Sequence, residues 1–252
     1  MPDPFAIAVL AALGLLVGSF LNVVVHRLPR GESLSRPRSR CVGCGVQIAA
    51  YDNIPVVSWL VLRGRCRHCG EPISVRYPLI EALTGVTFAA VAAVSGVHAE
   101  LALYLPFAAL LIAVAAIDLE HRIVPNKLVG PAAIYAVVAW AAVDLDFLPE
   151  ALAAGGGAFA FLLLAALAYP AGMGMGDVKL AGAIGLYLGL SVIPALLVAF
   201  LAGSVVGIAI VVRDGRDARK TGVPFAPFLA LGGLVGLLAG NELISLYADR
   251  FL

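Results

Sequence analysis

Charge is what this sequence has least of. Only 13% of its 252 residues are charged and 62% are hydrophobic, whereas a soluble domain carries about 25% charged residues. With a mean hydropathy of +0.99, the chain reads as an all-α protein that crosses a membrane many times. The net charge of +1 excludes little, since where charges fall matters more than their sum. Cysteine is scarce too: the four present fall in two Cys-x-x-Cys pairs, a metal-binding pattern before a disulfide one. No basic segment precedes the first apolar run, which has only Asp3 before it. A cleaved signal peptide is therefore not expected, and that run stays as a span. Internal repeats and low-complexity linkers are not evident. The one clear module is a cysteine-bearing loop at roughly 26–78.

A span needs about 20 apolar residues. Such runs lie at roughly 5–25, 79–97, 101–117, 128–147, 151–171, 178–190, 192–212 and 225–247, giving about eight transmembrane helices. The sixth is short. At about 1.5 Å per residue it covers only about 20 Å of a hydrocarbon core about 30 Å thick, so it either takes length from the glycine-rich segment before it or lies short and tilted. The expected organisation is a first helix (1–25), the loop (26–78) and a membrane core (79–252). The loop holds nine arginines, and the positive-inside rule makes it cytoplasmic. Alternating the spans from there leaves sixteen of the seventeen basic residues inside, among them Arg122, Lys127, Lys179, Arg213, Arg216, Arg219 and Lys220, with only Arg250 outside. Glu100, Asp144, Asp146 and Glu150 fall on the outer side.

Two carboxylates stand out against this background. The segment Gly172-Met173-Gly174-Met175-Gly176-Asp177-Val178-Lys179 lies between apolar runs. An ionisable residue at the edge of a span is costly to keep and marks a functional site, and the glycines leave one face of the backbone bare for another chain. Asp118 ends the third span and Asp177 begins the sixth, so an even number of crossings puts both at the same membrane face. Two carboxylates sharing a site hold one proton between them. Peptide hydrolysis needs that state: the ionised group takes a proton from water while the protonated one hydrogen-bonds the carbonyl. Plainer roles exist for each residue. Asp177 suits the N-cap of the sixth helix, Asp118 has Arg122 at i,i+4 spacing, and Lys179 at a span edge can snorkel to lipid headgroups. The glycine spacing does not match the dinucleotide-binding Gly-x-Gly-x-x-Gly and lacks its strand.

In the loop, Cys41 and Cys44 are separated from Cys66 and Cys69 by 21 residues, just beyond the usual about 15–20 for paired zinc knuckles. Four thiolates suit a closed, structural, tetrahedral zinc site, and Gly43, Gly45 and Gly70 allow tight turns. Cytoplasmic placement disfavours disulfides, which with unmetallated thiols are the alternative. His68 is expected to face solvent. The arginines beside the knuckles set topology; acidic lipid headgroups, a substrate or a methyl donor are further candidates for their contacts.

Several blocks then fall in one order. Gly174-Met175-Gly176-Asp177 followed by Val178-Lys179 resembles the GxGD motif of the prepilin peptidases, or type IV leader peptidases, a motif also found in presenilin-like proteases. Asp118 in Ile117-Asp118-Leu119-Glu120-His121-Arg122-Ile123-Val124-Pro125-Asn126 resembles the family's other catalytic segment. Gly18–Pro29, Asp52–Leu60, Ile73–Glu81 and Pro224–Ala230 resemble its first-span, loop and last-span blocks. The resemblance spans nearly the whole chain. It implies a membrane aspartic endopeptidase with Asp118 and Asp177 as catalytic pair, Gly174 and Gly176 shaping the backbone beside it, and Lys179 as a further candidate. It implies prepilin or type II secretion pseudopilin precursors as substrates, cut at the cytoplasmic face of a bacterial inner membrane, with the lipid bilayer as surroundings and no nucleic-acid partner. Relatives with such a cysteine loop also N-methylate the new amino terminus with S-adenosylmethionine. Gly64 and Glu81 are candidates for that donor's site, although Glu81 equally suits the first turn of the second span, where the helix dipole favours a carboxylate. Two other readings stay open: a proton- or cation-coupled transporter, against which both aspartates lie at one face rather than near the midplane, and a zinc-loop scaffold, which leaves the glycine–aspartate segment without a role.

Overall fold

The computed structural model describes residues 3–169, 172–214 and 223–251. Arg216, Arg219 and Lys220 of the expected inner basic cluster lie outside the described residues. Among those described, every named element is helical and no strand forms. The chain divides into two compact units, Met1–His98 and Ala99–Leu252.

The first unit pairs α1 (Pro4–Arg27) with α3 (Arg76–Ser95), and the loop between them carries the short α2 (Val57–Val61). Asp3 caps α1, its Oδ1 accepting the Phe5 N–H at 3.0 Å, and Pro4 occupies the first helical position, where no N–H is needed. The helices touch backbone to backbone. A Cβ at Gly14 would lie 2.7 Å from the Thr84 carbonyl oxygen, and one at Gly18 2.7 Å from Glu81 Cα. This is the small-residue packing that replaces the hydrophobic effect between helices in lipid.

The second unit holds α4 (Leu101–His121), α5 (Asn126–Val143), α6 (Leu148–Ala168), α7 (Met175–Leu188), α8 (Val192–Asp214) and α9 (Ala226–Phe251). Its core includes Phe107 stacked on Tyr187, ring centroids 4.4 Å apart. The polar tips of the buried aromatics are settled: Tyr187 donates to the Ala132 carbonyl at 2.9 Å and Trp140 Nε1 to the Leu186 carbonyl at 3.1 Å. Large apolar side chains such as Leu164, Leu197, Leu201, Val205 and Ile208 stay exposed, as the lipid-facing side of a bundle requires.

Each of the eight expected spans is a helix. Among the described residues, seven stretches are long and apolar enough to cross a membrane, because Met175–Arg213 counts α7 and α8 together. They part at Gly189, whose φ of +55° suits glycine. Just beyond it the Leu190 N–H donates to Glu150 Oε1 at 2.9 Å. The sixth span does take length from the glycine segment, starting at Met175 rather than 178. Its 14 residues still reach only about 21 Å.

Candidate active site

Asp118 and Asp177 lie in the second unit and are buried, 5% and 9% exposed. α4 ends just past Asp118, where Arg122 takes a left-handed φ of +55° and its N–H donates to the Asp118 carbonyl at 2.9 Å. Asp118 Oδ2 accepts the Ala226 N–H at 3.2 Å, at the start of α9. Asp177 sits in the first turn of α7, and its Oδ2 accepts the Gly174 N–H at 3.3 Å. Each carboxylate thus faces the positive end of a helix. The two are close enough to act on each other electrostatically. Buried in this way they suit sharing one proton, the state that activates water against a carbonyl.

Of the plainer roles, Asp177 takes a modified one. Gly174 is the N-cap, and Asp177, three residues on, reaches back to its N–H. That is the carboxylate half of a capping box whose other half a glycine cannot supply. The i,i+4 pair of Asp118 with Arg122 does not close. Arg122 has left the helical φ and makes no salt bridge with Asp118 among the described residues, although it is near enough to act on that carboxylate electrostatically.

The flanking glycines differ. A Cβ on Gly176 would lie 2.7 Å from Val124 Cβ, whereas one on Gly174 would make ordinary contacts, with Asp177 Oδ2 at 3.5 Å and Gly176 N at 3.9 Å. Gly176 therefore lets the start of α7 settle on the segment after Asp118, while Gly174 is uncrowded beside Asp177. Lys179 is exposed and donates to Asn126 Oδ1 at 3.0 Å, tying the starts of α7 and α5 together.

The first unit gathers the cysteines. The sulfurs of Cys41, Cys44, Cys66 and Cys69 all lie within 4.8 Å of one another, and Cys41 and Cys69 are 3.7 Å apart. Four sulfurs at about 2.3 Å from a tetrahedral zinc are about 3.8 Å apart, so the donor set fits zinc. The knuckles are an internal repeat that the sequence reading passed over. Arg40-Cys41-x-x-Cys44-Gly45-x-x-Ile48 recurs as Arg65-Cys66-x-x-Cys69-Gly70-x-x-Ile73. The backbone bonds recur with it: Cys41 N–H to Val46 O and Ile48 N–H to Ser39 O, then Cys66 N–H to Glu71 O and Ile73 N–H to Gly64 O. The N–H groups of Cys69 and His68 point at Cys66 and bring its thiol down to about 6. At Cys69 the Glu71 N–H pulls the same way, but desolvation and the neighbouring sulfurs win and push it up to about 12. Beside the knuckles, Arg67 grips Asp52 with two bonds of 2.8 and 2.6 Å, holding that carboxyl below the usual range.

The same unit encloses a cavity of about 780 Å³, its wall including Ser19, Asn22, His26, Trp59 and Glu81. Glu81 Oε2 accepts the Val56 N–H at 2.7 Å. Val56 is in a rare conformation for a β-branched residue, φ +62° and ψ −50°, and the Val57 N–H closes the turn onto the Pro55 carbonyl at 2.6 Å. Such a turn costs about 1–3 kcal/mol and persists where its surroundings over-determine it. Gly64 does not line the cavity but backs it. Its φ is +67° and a Cβ there would lie 2.9 Å from the Trp59 ring, whose Nε1 donates to the Ile73 carbonyl at 3.0 Å.

Residues 12–95 match the Bacterial Peptidase A24 N-terminal domain, and residues 105–212 match the Type IV leader peptidase family. A prepilin leader peptidase/N-methyltransferase of Burkholderia pseudomallei is 35% identical over 278 residues, spanning 96% of this chain and 88% of its own. The chain belongs to the type IV leader peptidase family. A Myxococcus xanthus relative of the same name is 41% identical over 226 residues, covering 86% of this chain and 67% of its own. One from Bacillus subtilis is 34% identical over 247 residues, covering 98% and 99%. No solved structure matches. The first family match holds the cysteine cluster and the cavity, the second both aspartates.

Proposed function

We propose that this chain is a membrane aspartic endopeptidase that removes the basic leader of type IV prepilin and type II secretion pseudopilin precursors, acting at the cytoplasmic face of a bacterial inner membrane. The observation that carries the reading is that Asp118 and Asp177 are both buried, each held by one backbone N–H, and near enough to act on each other electrostatically. The ionised member takes a proton from a water molecule as it attacks the scissile carbonyl. The protonated member hydrogen-bonds the carbonyl oxygen and its proton passes on to the leaving amine. The exposed, uncrowded Gly174 gives an extended substrate backbone a way in, and Lys179 and Asn126 hold the two helix starts in register. The arginine-rich loop supports the cytoplasmic orientation. The comparisons offer nothing for a transporter.

The relatives' names add an N-methyltransferase activity, and the cavity of the first unit is the best place for it. Its volume suits a nucleoside-sized ligand. S-adenosylmethionine, when bound there, supplies an electrophilic methyl group. Trp59 offers a flat apolar wall, kept in place by Gly64, and Glu81 a carboxylate. Cys41, Cys44, Cys66 and Cys69 hold a structural zinc that pins the loop forming the cavity's wall.

The test is a mass spectrum of a prepilin co-expressed with wild-type protein, with Asp118→Asn or with Asp177→Asn. Wild type is expected to remove the leader and leave about one methyl mass on the product, and neither variant to cut although both insert. Full cleavage by both variants would sink the aspartate assignment.

A further inference from the structure

The wall of the first unit's cavity holds two hydrogen-bond acceptors with no use in peptide cleavage. Glu81 is buried at 8% exposure and receives the Val56 N–H, with the Ser19 hydroxyl nearby. Neither neighbour is a cation. An ionised carboxylate offers about four acceptor positions, so this bond orients it without using it up. Asn22 is 3% exposed. Its Nδ2 donates to the carbonyls of Gly18 at 3.3 Å and Tyr77 at 3.1 Å, which fixes the sense of the amide and leaves Oδ1 buried with no partner. Unpaired buried acceptors are few in folded proteins and mark places where something else supplies the donor. Helix packing brings these two together: Ser19 and Asn22 lie three residues apart on α1, and the Gly18 contact presses that turn onto the backbone of Glu81. The strained turn at Val56 exists to aim one N–H at the same carboxylate.

Glu81 and Asn22 contribute a carboxylate and an amide oxygen to this wall, and both call for a group that is all donor. A primary ammonium, with three N–H and no acceptor, is that group. Arg27, Arg40, Arg67 and Arg76 also line the cavity; Arg67 is bonded to Asp52 and Arg27 to the carbonyls of Ser33 and Pro37. We propose that Glu81 and Asn22 form a receptor for a ligand's primary ammonium group. The inference rests on the N-methyltransferase reading for its two sources: the new α-amino group of the cleaved pilin, or the amino-acid end of the methyl donor.

The experiment measures equilibrium binding to the full-length protein in lipid nanodiscs with two pairs of probes. One pair is a peptide with a free α-amine and apolar first residues, dye-labelled at its far end, and its N-acetylated twin. The other is S-adenosylhomocysteine and 5′-methylthioadenosine, which lacks the amino-acid end. In wild type the amine-bearing member of at least one pair is expected to bind about tenfold more tightly, Glu81→Gln to abolish the preference and Asn22→Ala to weaken it. A response in the peptide pair assigns the receptor to the pilin terminus, and one in the nucleoside pair assigns it to the methyl donor. No amine preference in wild type, or a preference that survives in Glu81→Gln, overturns the proposal; Asn22→Ala decides if Glu81→Gln fails to insert. Transfer of a labelled methyl group to the free-amine peptide is followed alongside. Transfer without amine preference removes the receptor and leaves the second activity standing, and amine preference without transfer does the reverse.

Discussion

A single methyl group at position 176 is enough to separate the two halves of the proposed catalytic pair. The Cβ it would add meets Val124 Cβ at 2.7 Å, and Val124 has no rotamer that removes its own Cβ. Either the start of α7 lifts away or the segment after Asp118 does, and in both cases Asp177 moves relative to Asp118. A displacement of about 1 Å costs on the order of a hundredfold in rate. Gly176→Ala is therefore expected to insert normally and lose about that much kcat against a prepilin, and Gly176→Ala with Val124→Gly to recover most of it. Val124→Ala should not rescue, because the clashing atom remains. At Gly174 the φ of −80° suits any residue and the nearest neighbour lies at 3.5 Å. Gly174→Ala should leave kcat within about a factor of three and raise KM instead, the mark of lost ground-state binding. Equal kcat losses in the two alanine variants, measured on a purified precursor, would show that neither reading of the glycines holds.

Elements divide by what made them legible. Apolar length alone located every long helix, because lipid forces any chain that crosses it to satisfy its own backbone. The GxGD and Asp118 segments were legible as motifs, and Gly174, Gly176 and Lys179 came with them. What stayed hidden depends on backbone groups, which have no letter in the sequence. The Ala226 N–H reaches Asp118 from a position far along the chain, and the Val56 turn carries a β-branched residue where turn chemistry calls for glycine. The knuckle repeat was open to view in the letters, since Arg-Cys-x-x-Cys-Gly-x-x-Ile occurs twice, but the repeated hydrogen bonds give it meaning. Shared backbone does not make the thiols equal. At pH 7 a thiol at about 6, such as Cys66, is mostly thiolate, while one at about 12, such as Cys69, is protonated, and only thiolate alkylates. Brief iodoacetamide treatment of metal-free protein at pH 7, followed by peptide mapping, should label Cys66 first and Cys69 last. Prior loading with zinc should protect all four. Uniform labelling without metal, or no protection with it, would contradict the cluster's electrostatics or its metal.

At the scale of the whole molecule, the two kinds of chemistry fall in different compact units. The aspartates lie in Ala99–Leu252, and the cysteines, the cavity and Glu81 in Met1–His98. Each unit has its own close helix contacts and its own settled polar groups, so losing one site need not undo the other. Substitutions with no shared partners tend to act independently. Asp177→Asn in the full chain is therefore expected to methylate a peptide that already carries the mature amino terminus at a rate within about twofold of wild type, while cutting no precursor. Cys66→Ser, which removes one of four metal ligands from the loop that walls the cavity, should do the opposite: zinc per mole falls, methylation drops by on the order of tenfold or more, and cleavage continues. Both substrates would be followed in one mass-spectrometric assay, with precursor and mature peptide distinguished by leader mass and methyl mass. If Asp177→Asn also stops methylation of the ready-made terminus, the product must pass to the methylating site through the peptidase site. The units would then act as one catalytic machine despite their separate cores.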